Sequence, residues 1–155
     1  MSDSEPGDVQ VRLARLIEAP SHLVYEAWTT PALLRLWWGP GGFTCPEAEI
    51  DLRPGGGYRL VMQPPQGAAM VLVGTYREIT APSRLVYTWR WDTGPASGEH
   101  ESLVTVEFHD RGPRTEVVVS HAQLPPGHDA SPYRVGWDEG LDKLAVQVKG
   151  SRANA

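Results

Sequence analysis

At 155 residues the chain has room for one substantial core, and with 41% hydrophobic and 21% charged residues it is composed like an ordinary globular protein. Its net charge of −5 excludes nucleic acid as the main partner, because phosphate binding needs a basic field. Cys45 stands alone, so neither an intramolecular disulfide nor a cysteine metal site can be built.

The first eight residues, Met1 to Asp8, are acidic and polar, carry no apolar signal segment and read as a disordered lead-in. No stretch approaches the roughly 20 apolar residues of a membrane span. The expectation is a cytoplasmic, bacterial protein with no membrane insertion. Residues 9–149 form a single domain in this reading, and 150–155 a flexible tail.

Val9 to Ile17 is rich in β-compatible residues and predicts a strand that Pro20-Ser21 ends. Ser21 is the expected N-cap of a short helix over 22–29, with Val24, Ala27 and Trp28 on one face. Thr30-Pro31 starts a second short helix, which carries Leu33, Leu34 and Trp37 and ends at Gly39-Pro40. A meander follows, with strands expected at 46–51, 57–63, 70–79, 84–91, 101–109 and 114–121. The gaps hold turn residues such as Arg53-Pro54-Gly55-Gly56 and Asp110-Arg111-Gly112-Pro113, and gaps this short demand antiparallel hairpins.

Alternation assigns the inner face. Leu85, Tyr87, Trp89 and Trp91 fall together, as do Val104, Val106 and Phe108, and then Thr115, Val117, Val119 and His121. Arg15 breaks the alternation of the first strand, so it is either turned out by a bulge or points inward and must be paired. Asp51 and Glu49 are its expected partners if the second strand lies alongside the first. Ser131 and Pro132 open the last and longest helix, expected to run to Lys149. Tyr133, Trp137, Leu141, Leu144 and Val148 make its apolar stripe, and Gly136 and Gly140 imply a close backbone approach or room left beside that stripe.

A sheet with one apolar face and a helix with one apolar stripe bury each other most economically when the sheet curves around the helix. The fold class is therefore α+β, in the helix-grip arrangement: a curved antiparallel sheet around a long C-terminal helix, with two short helices after the first strand.

Several chemistries are poorly supported. His100, His109 and His128 lack the spacing of a zinc motif, so no metal and no cofactor is expected. No Gly-x-Ser-x-Gly elbow presents a nucleophile. Gly55-Gly56-Gly57 precedes a strand, so it cannot aim a helix N-terminus at a phosphate.

The stretches Ala27-Trp28-Thr29-Thr30-Pro31, Trp37-Trp38-Gly39-Pro40, Asp51-Leu52-Arg53-Pro54-Gly55-Gly56, Gly74-Thr75-Tyr76, Arg84-Leu85-Val86-Tyr87-Thr88-Trp89 and Gly136-Trp137 resemble the START-like superfamily. Within it they are similar to the C-terminal domain of the activator of the ninety-kilodalton heat-shock chaperone's ATPase. The resemblance runs from about residue 10 to 149 and implies a cavity between sheet and long helix. Superfamily members bind lipids, sterols, polyketides or plant hormones there, and some catalyse cyclisation or ring chemistry. The eukaryotic co-chaperones carry a further N-terminal domain for which this chain has no room, so no chaperone partner is expected.

The resulting expectation is binding of a small hydrophobic or amphipathic molecule, with no defined catalytic activity. Trp38, Tyr58, Tyr87, Trp89, Trp91, His121, Trp137 and Leu141 are the candidate lining residues. Two alternatives stay open. One is a polyketide-cyclase-like enzyme in the same cavity, for which His121 is the candidate acid or base. The other is a stress-linked interaction module, which needs a filled interior and an exposed apolar patch around Trp37 and Phe43. Adjacent helical residues point about 100° apart, so one of Trp37 and Trp38 is expected to seal the cavity end while the other caps a surface or a dimer contact. A homodimer through the sheet edge or the short helices fits the pattern.

Overall fold

Among the described residues, apolar–polar alternation between Pro- and Gly-rich turns produces seven strands, and the remaining apolar periodicity produces three helices. A computed structural model describes residues 9–94, 97–125 and 130–153. In chain order the elements are β1 (Val9–Ile17), α1 (Ser21–Thr29), α2 (Pro31–Leu34), β2 (Thr44–Ile50), β3 (Gly57–Gln63), β4 (Met70–Thr80), β5 (Arg84–Trp91), β6 (Ser102–Arg111), β7 (Arg114–Ala122) and α3 (Ser131–Ala153). The meander strands start and end within two residues of the expected bounds. The expected lead-in, residues 1–8, lies outside the described residues, as do His128 and the last two residues of the expected tail.

All neighbouring strands are antiparallel, in the order β1-β7-β6-β5-β4-β3-β2. The sheet curls into a half-barrel around α3, so the fold is the helix-grip arrangement. Its inner face is the core. Leu72, Leu85, Val104, Val106, Val117 and Val119 are fully buried beneath Leu141 and Leu144 of the helix. Among the described residues no helix is long and apolar enough to cross a membrane.

The strand order corrects the expectation for Arg15. β1 and β2 are opposite edges of the sheet, so Asp51 and Glu49 cannot reach it. Arg15 keeps the phase of Val11 and Ile17 and points inward without a bulge. There it meets α3, with Nη2 2.5 Å from Asp138 Oδ1 and Nη1 2.6 Å from Asp142 Oδ1. The two aspartates are one helical turn apart, so both oxygens face the guanidinium fork.

Helix boundaries differ from the expectation in informative ways. Pro20, not Ser21, occupies the N-cap of α1, and no side chain caps it. Thr30 is the N-cap of α2 with Pro31 just inside, but its hydroxyl makes no capping bond. α2 stops at Leu34, and the amides of both Trp37 and Trp38 converge on the Leu34 carbonyl at 3.2 and 3.0 Å. At the start of α3 the amides of Tyr133 and Arg134 bond the Ala130 carbonyl, so Ala130 rather than Ser131 holds the cap position. The same helix runs past Lys149 to Ala153, since a glycine weakens a helix by about 1 kcal/mol without itself ending one.

Two glycines fix the turn and the strand beside it. A Cβ on Gly56 would stand 2.2 Å from the Asp51 carbonyl oxygen, which only glycine avoids. Gly74 has Thr88 O and the Tyr58 ring where a Cβ would be, at 2.0 and 2.5 Å. This vacancy lets the Tyr58 hydroxyl cross β4 and donate to the Thr88 carbonyl at 2.5 Å.

Candidate functional site

One end of the space between sheet and α3 is left unfilled, as a cavity of about 340 Å³. Its deep wall is three indoles. Ring centroids of Trp38, Trp89 and Trp137 lie 6.0 Å (Trp38–Trp89), 5.6 Å (Trp38–Trp137) and 5.5 Å (Trp89–Trp137) apart. Met62 and Met70 add thioethers from β3 and β4, and Trp37 closes the end beside α2. Toward the mouth, Phe43, Met70, Trp91 and Tyr133 are half-buried and Pro132 is exposed. Among the described residues no lining side chain is charged.

Gly136 and Gly140 form the helical side of the cavity, and they answer the question the sequence left open. Both readings apply: the glycines line the void, and residues 39–43 pass close over them. A Cβ on Gly136 would meet Pro40 Cγ at 3.6 Å, and one on Gly140 would meet the Gly39 oxygen at 3.6 Å. α3 then holds this passing loop from its next turn. Glu139 Oε1 accepts from the Gly41 amide at 2.9 Å. Lys143 Nζ donates to the carbonyls of Pro40 and Phe43 at 3.0 and 3.2 Å. Burial holds the Lys143 ammonium below its usual value, with Glu139 opposing that shift. The Trp-Trp-Gly-Pro segment is therefore tied across the end of the helix as a wall.

Both Trp37 and Trp38 face inward, at 1% and 4% exposure. The expectation that one ring would cap an outer surface does not hold: in the turn after Leu34 both rings pack into the core and meet edge-on at 5.3 Å. Trp37 Nε1 donates to the Ala27 carbonyl at 3.0 Å, anchoring the wall to α1. Neither tryptophan supplies an outer surface.

Of the eight candidate lining residues, Trp38, Trp89, Trp91 and Trp137 border the cavity. Tyr58 and Tyr87 do not. Sheet curvature carries them to a separate void of about 10 Å³, closed by Trp28, Leu34 and Tyr76. Tyr58 and Tyr87 stack edge-on at 5.4 Å, Trp28 Nε1 donates to the Tyr87 hydroxyl at 3.4 Å, and burial pushes both phenols well above their ordinary range. Leu141 is fully buried and does not border the cavity.

His121 points inward as strand phase required, but it lies behind the wall. Trp137 Nε1 donates to its Nδ1 at 3.1 Å, so the neutral ring carries its proton on Nε2 and gives it to Ser102 Oγ at 2.7 Å. Ser102 in turn donates to the Trp89 carbonyl at 3.4 Å. The rings of Trp89, Tyr133 and Trp137 surround it, and burial pushes its pKa down to about 3. Both nitrogens are engaged and the ring stays neutral, so its role is to hold Trp137 in place.

Sequence reasoning missed Trp37, Phe43, Met62, Met70 and Tyr133 as lining residues. A signal existed for Met62, which continues the inward series Tyr58, Leu60 on β3 and is the adaptable residue often found beside a void. None existed for Phe43, whose position depends on where the loop crosses α3.

Among the described residues no three His, Cys, Asp or Glu side chains converge on a point that could hold a metal. Cys45 is buried, its Sγ bonds the Glu47 carbonyl at 3.3 Å, and burial raises its pKa to about 11, far from a reactive thiolate.

A half-barrel sheet gripping one long helix, with an apolar cavity at one end of the grip, defines a START-like protein. The family model described as activator of Hsp90 ATPase homolog 1-like protein matches residues 18–149, and the chain belongs to that family. Comparison with curated proteins finds no match. Among solved structures, protein CV1439 from Chromobacterium violaceum is 27% identical with a TM-score of 0.79, over 89% of this chain and 95% of that one. Protein NE0264 from Nitrosomonas europaea is 26% identical with a TM-score of 0.80, over 94% and 97%. The AHSA1 (SPO3351) protein from Silicibacter pomeroyi, 24% identical with a TM-score of 0.77 over 91% and 98%, shares the fold.

Proposed function

We propose that the protein binds one small hydrophobic or amphipathic molecule in the cavity between its sheet and α3. The observation that carries this reading is the void itself. A concave space of about 340 Å³ lined by five tryptophans, two methionines and no charged side chain among the described residues is shaped to bury a small apolar molecule. Trp38, Trp89, Trp91 and Trp137 are the contact surface in this reading. Tyr58, Tyr87, Leu141 and His121 support the wall from behind. The same reading treats residues 9–149 as one unit, supported by the family match over 18–149, in a bacterial protein, supported by the origins of the similar structures, and places it in the cytoplasm.

No observation favours the cyclase-like alternative, because His121 has no free nitrogen to offer a substrate. The surface-interaction alternative needs an exposed Trp37, which is 1% exposed.

Titration with the neutral fluorophore N-phenyl-1-naphthylamine tests the proposal. The wild type is expected to bind one equivalent with enhanced, blue-shifted emission. Gly136→Phe, which places a ring in the void, is expected to abolish binding while leaving the far-ultraviolet circular dichroism unchanged. Equal binding by the two proteins would refute the cavity as the site.

A further inference from the structure

The smaller void, of about 10 Å³, shares Trp38 with the cavity but is built differently. Its wall is part polar and part apolar, with Leu60 and Ile50 on the apolar side. Tyr58, Tyr76 and Tyr87 are the lining residues that carry hydroxyls, and each is more than nine-tenths buried. Their rings form a triangle, with centroids 5.7 Å (Tyr58–Tyr76), 5.4 Å (Tyr58–Tyr87) and 5.9 Å (Tyr76–Tyr87) apart.

The three hydroxyls are unequally provided for. Tyr58 gives its proton to the Thr88 carbonyl at 2.5 Å, which leaves its oxygen able to accept. Tyr87 accepts from Trp28 Nε1 at 3.4 Å, and this bond makes no use of its own proton. Among the described residues the Tyr76 hydroxyl has no hydrogen-bond partner. The sealed-off unpartnered atoms are Tyr25 Oη, Trp38 Nε1 and Trp89 Nε1, so Tyr76 Oη keeps accessible surface although the residue is only 5% exposed. Burial raises the pKa of all three phenols, so each keeps its proton. A phenol taken out of water without an acceptor forfeits a hydrogen bond, and native cores seldom leave one so. Two unused donors and one unused acceptor therefore surround the same small space.

We infer that this void is a hydration site for one ordered water, which accepts from the Tyr76 and Tyr87 hydroxyls and donates to Tyr58 Oη. A space of about 10 Å³ is near the least that admits a water, and about three hydrogen bonds is the usual number for a buried one. The site would keep Tyr87 where Trp28 Nε1 reaches it, and Trp28 packs edge-on against Trp37 at 4.7 Å. Solvent is thus part of what supports the Trp-Trp-Gly-Pro wall from behind. The inference stands apart from the binding role proposed above, since it needs no ligand in the larger cavity.

Magnetic relaxation dispersion of deuterium and oxygen-17 counts waters that stay in a protein longer than it takes to tumble. The double variant Tyr76→Phe/Tyr87→Phe removes both donors and leaves a space that is apolar enough to stay dry. The wild type is expected to show one more long-lived water than this variant. A high-resolution crystal structure of the wild type is expected to show one peak of solvent density within hydrogen-bond distance of the three phenol oxygens. Equal dispersion from the two folded proteins would overturn the inference, as would a wild-type crystal without density between the three rings. Should the double variant fail to fold, the wild-type crystal decides the matter on its own.

Discussion

Replacing His121 with Gln separates its structural work from any proton chemistry, and the consequence is a change in how stability depends on pH. Ser102, Trp89, Tyr133 and Trp137 surround the imidazole, none of them charged, and burial alone lowers its pKa from 6.5 to about 3. Above pH 6.5 the folded and unfolded chains both carry a neutral ring, so this group adds no pH dependence there. Below 6.5 the unfolded chain takes a proton that the folded chain refuses until about pH 3. Stability is therefore lost as pH falls through that window, at about 1.4 kcal/mol per unit. Between pH 7.5 and 5.0 only the last 1.5 units lie inside it, which makes the expected loss about 2 kcal/mol. Gln cannot titrate, yet its oxygen can still accept from Trp137 and its amide can still donate toward Ser102. Urea unfolding of both proteins at the two pH values measures the effect, and other carboxylates and histidines cancel in the difference. The wild type should lose about 2 kcal/mol more than His121→Gln over this range, even though the variant starts about 1–3 kcal/mol less stable from imperfect replacement of the buried bonds. Parallel pH profiles would refute the assignment of His121 as a neutral, saturated core residue.

Four further substitutions probe the scaffold. Gly74→Ala puts a Cβ 2.0 Å from the Thr88 oxygen and 2.5 Å from the Tyr58 ring, so a loss of about 3 kcal/mol or more is expected by chemical denaturation, with displacement of Tyr58. Gly136→Ala and Gly140→Ala meet nothing closer than 3.6 Å, so each should stabilise the protein by about 1 kcal/mol through helix propensity, read as a higher urea midpoint at unchanged slope. Arg15→Met removes a guanidinium that pairs with Asp138 and Asp142. Because all three side chains are partly exposed, the loss should stay near 1 kcal/mol and shrink further in high salt, as unfolding at two ionic strengths would show.

The fold was legible because its instructions are local. Period-two alternation put Trp89, Val106 and His121 on one face of the sheet, and a four-four-three-four spacing put Trp137 and Leu144 on one face of the helix. Partners across the fold were not legible. Arg15 was matched to the wrong carboxylates because nothing in its neighbourhood states that β1 lies against β7 and β2 lies at the far edge. The candidate site was half legible for the same reason. Strand phase selects an inner face but not a position along the curl, so Tyr58 and Tyr87 have the right phase and belong to a different void. The tryptophan pair was misjudged where a helix was assumed to continue, since a turn after Leu34 brings both rings inward. Whether an indole N–H has an acceptor depends on the packing of several elements at once, and no spacing of residues announces it.

The central claim is that the void among Trp38, Trp89 and Trp137 is a binding site. A crystal structure of the protein grown with N-phenyl-1-naphthylamine tests it most directly. The account predicts one copy of the probe inside the cavity, its rings against the indole wall and beside Gly136, with the Trp37–Phe43 segment still tied to Glu139 and Lys143. Density for the probe only on the outer surface, or a cavity closed by the tryptophan rings themselves, would contradict it.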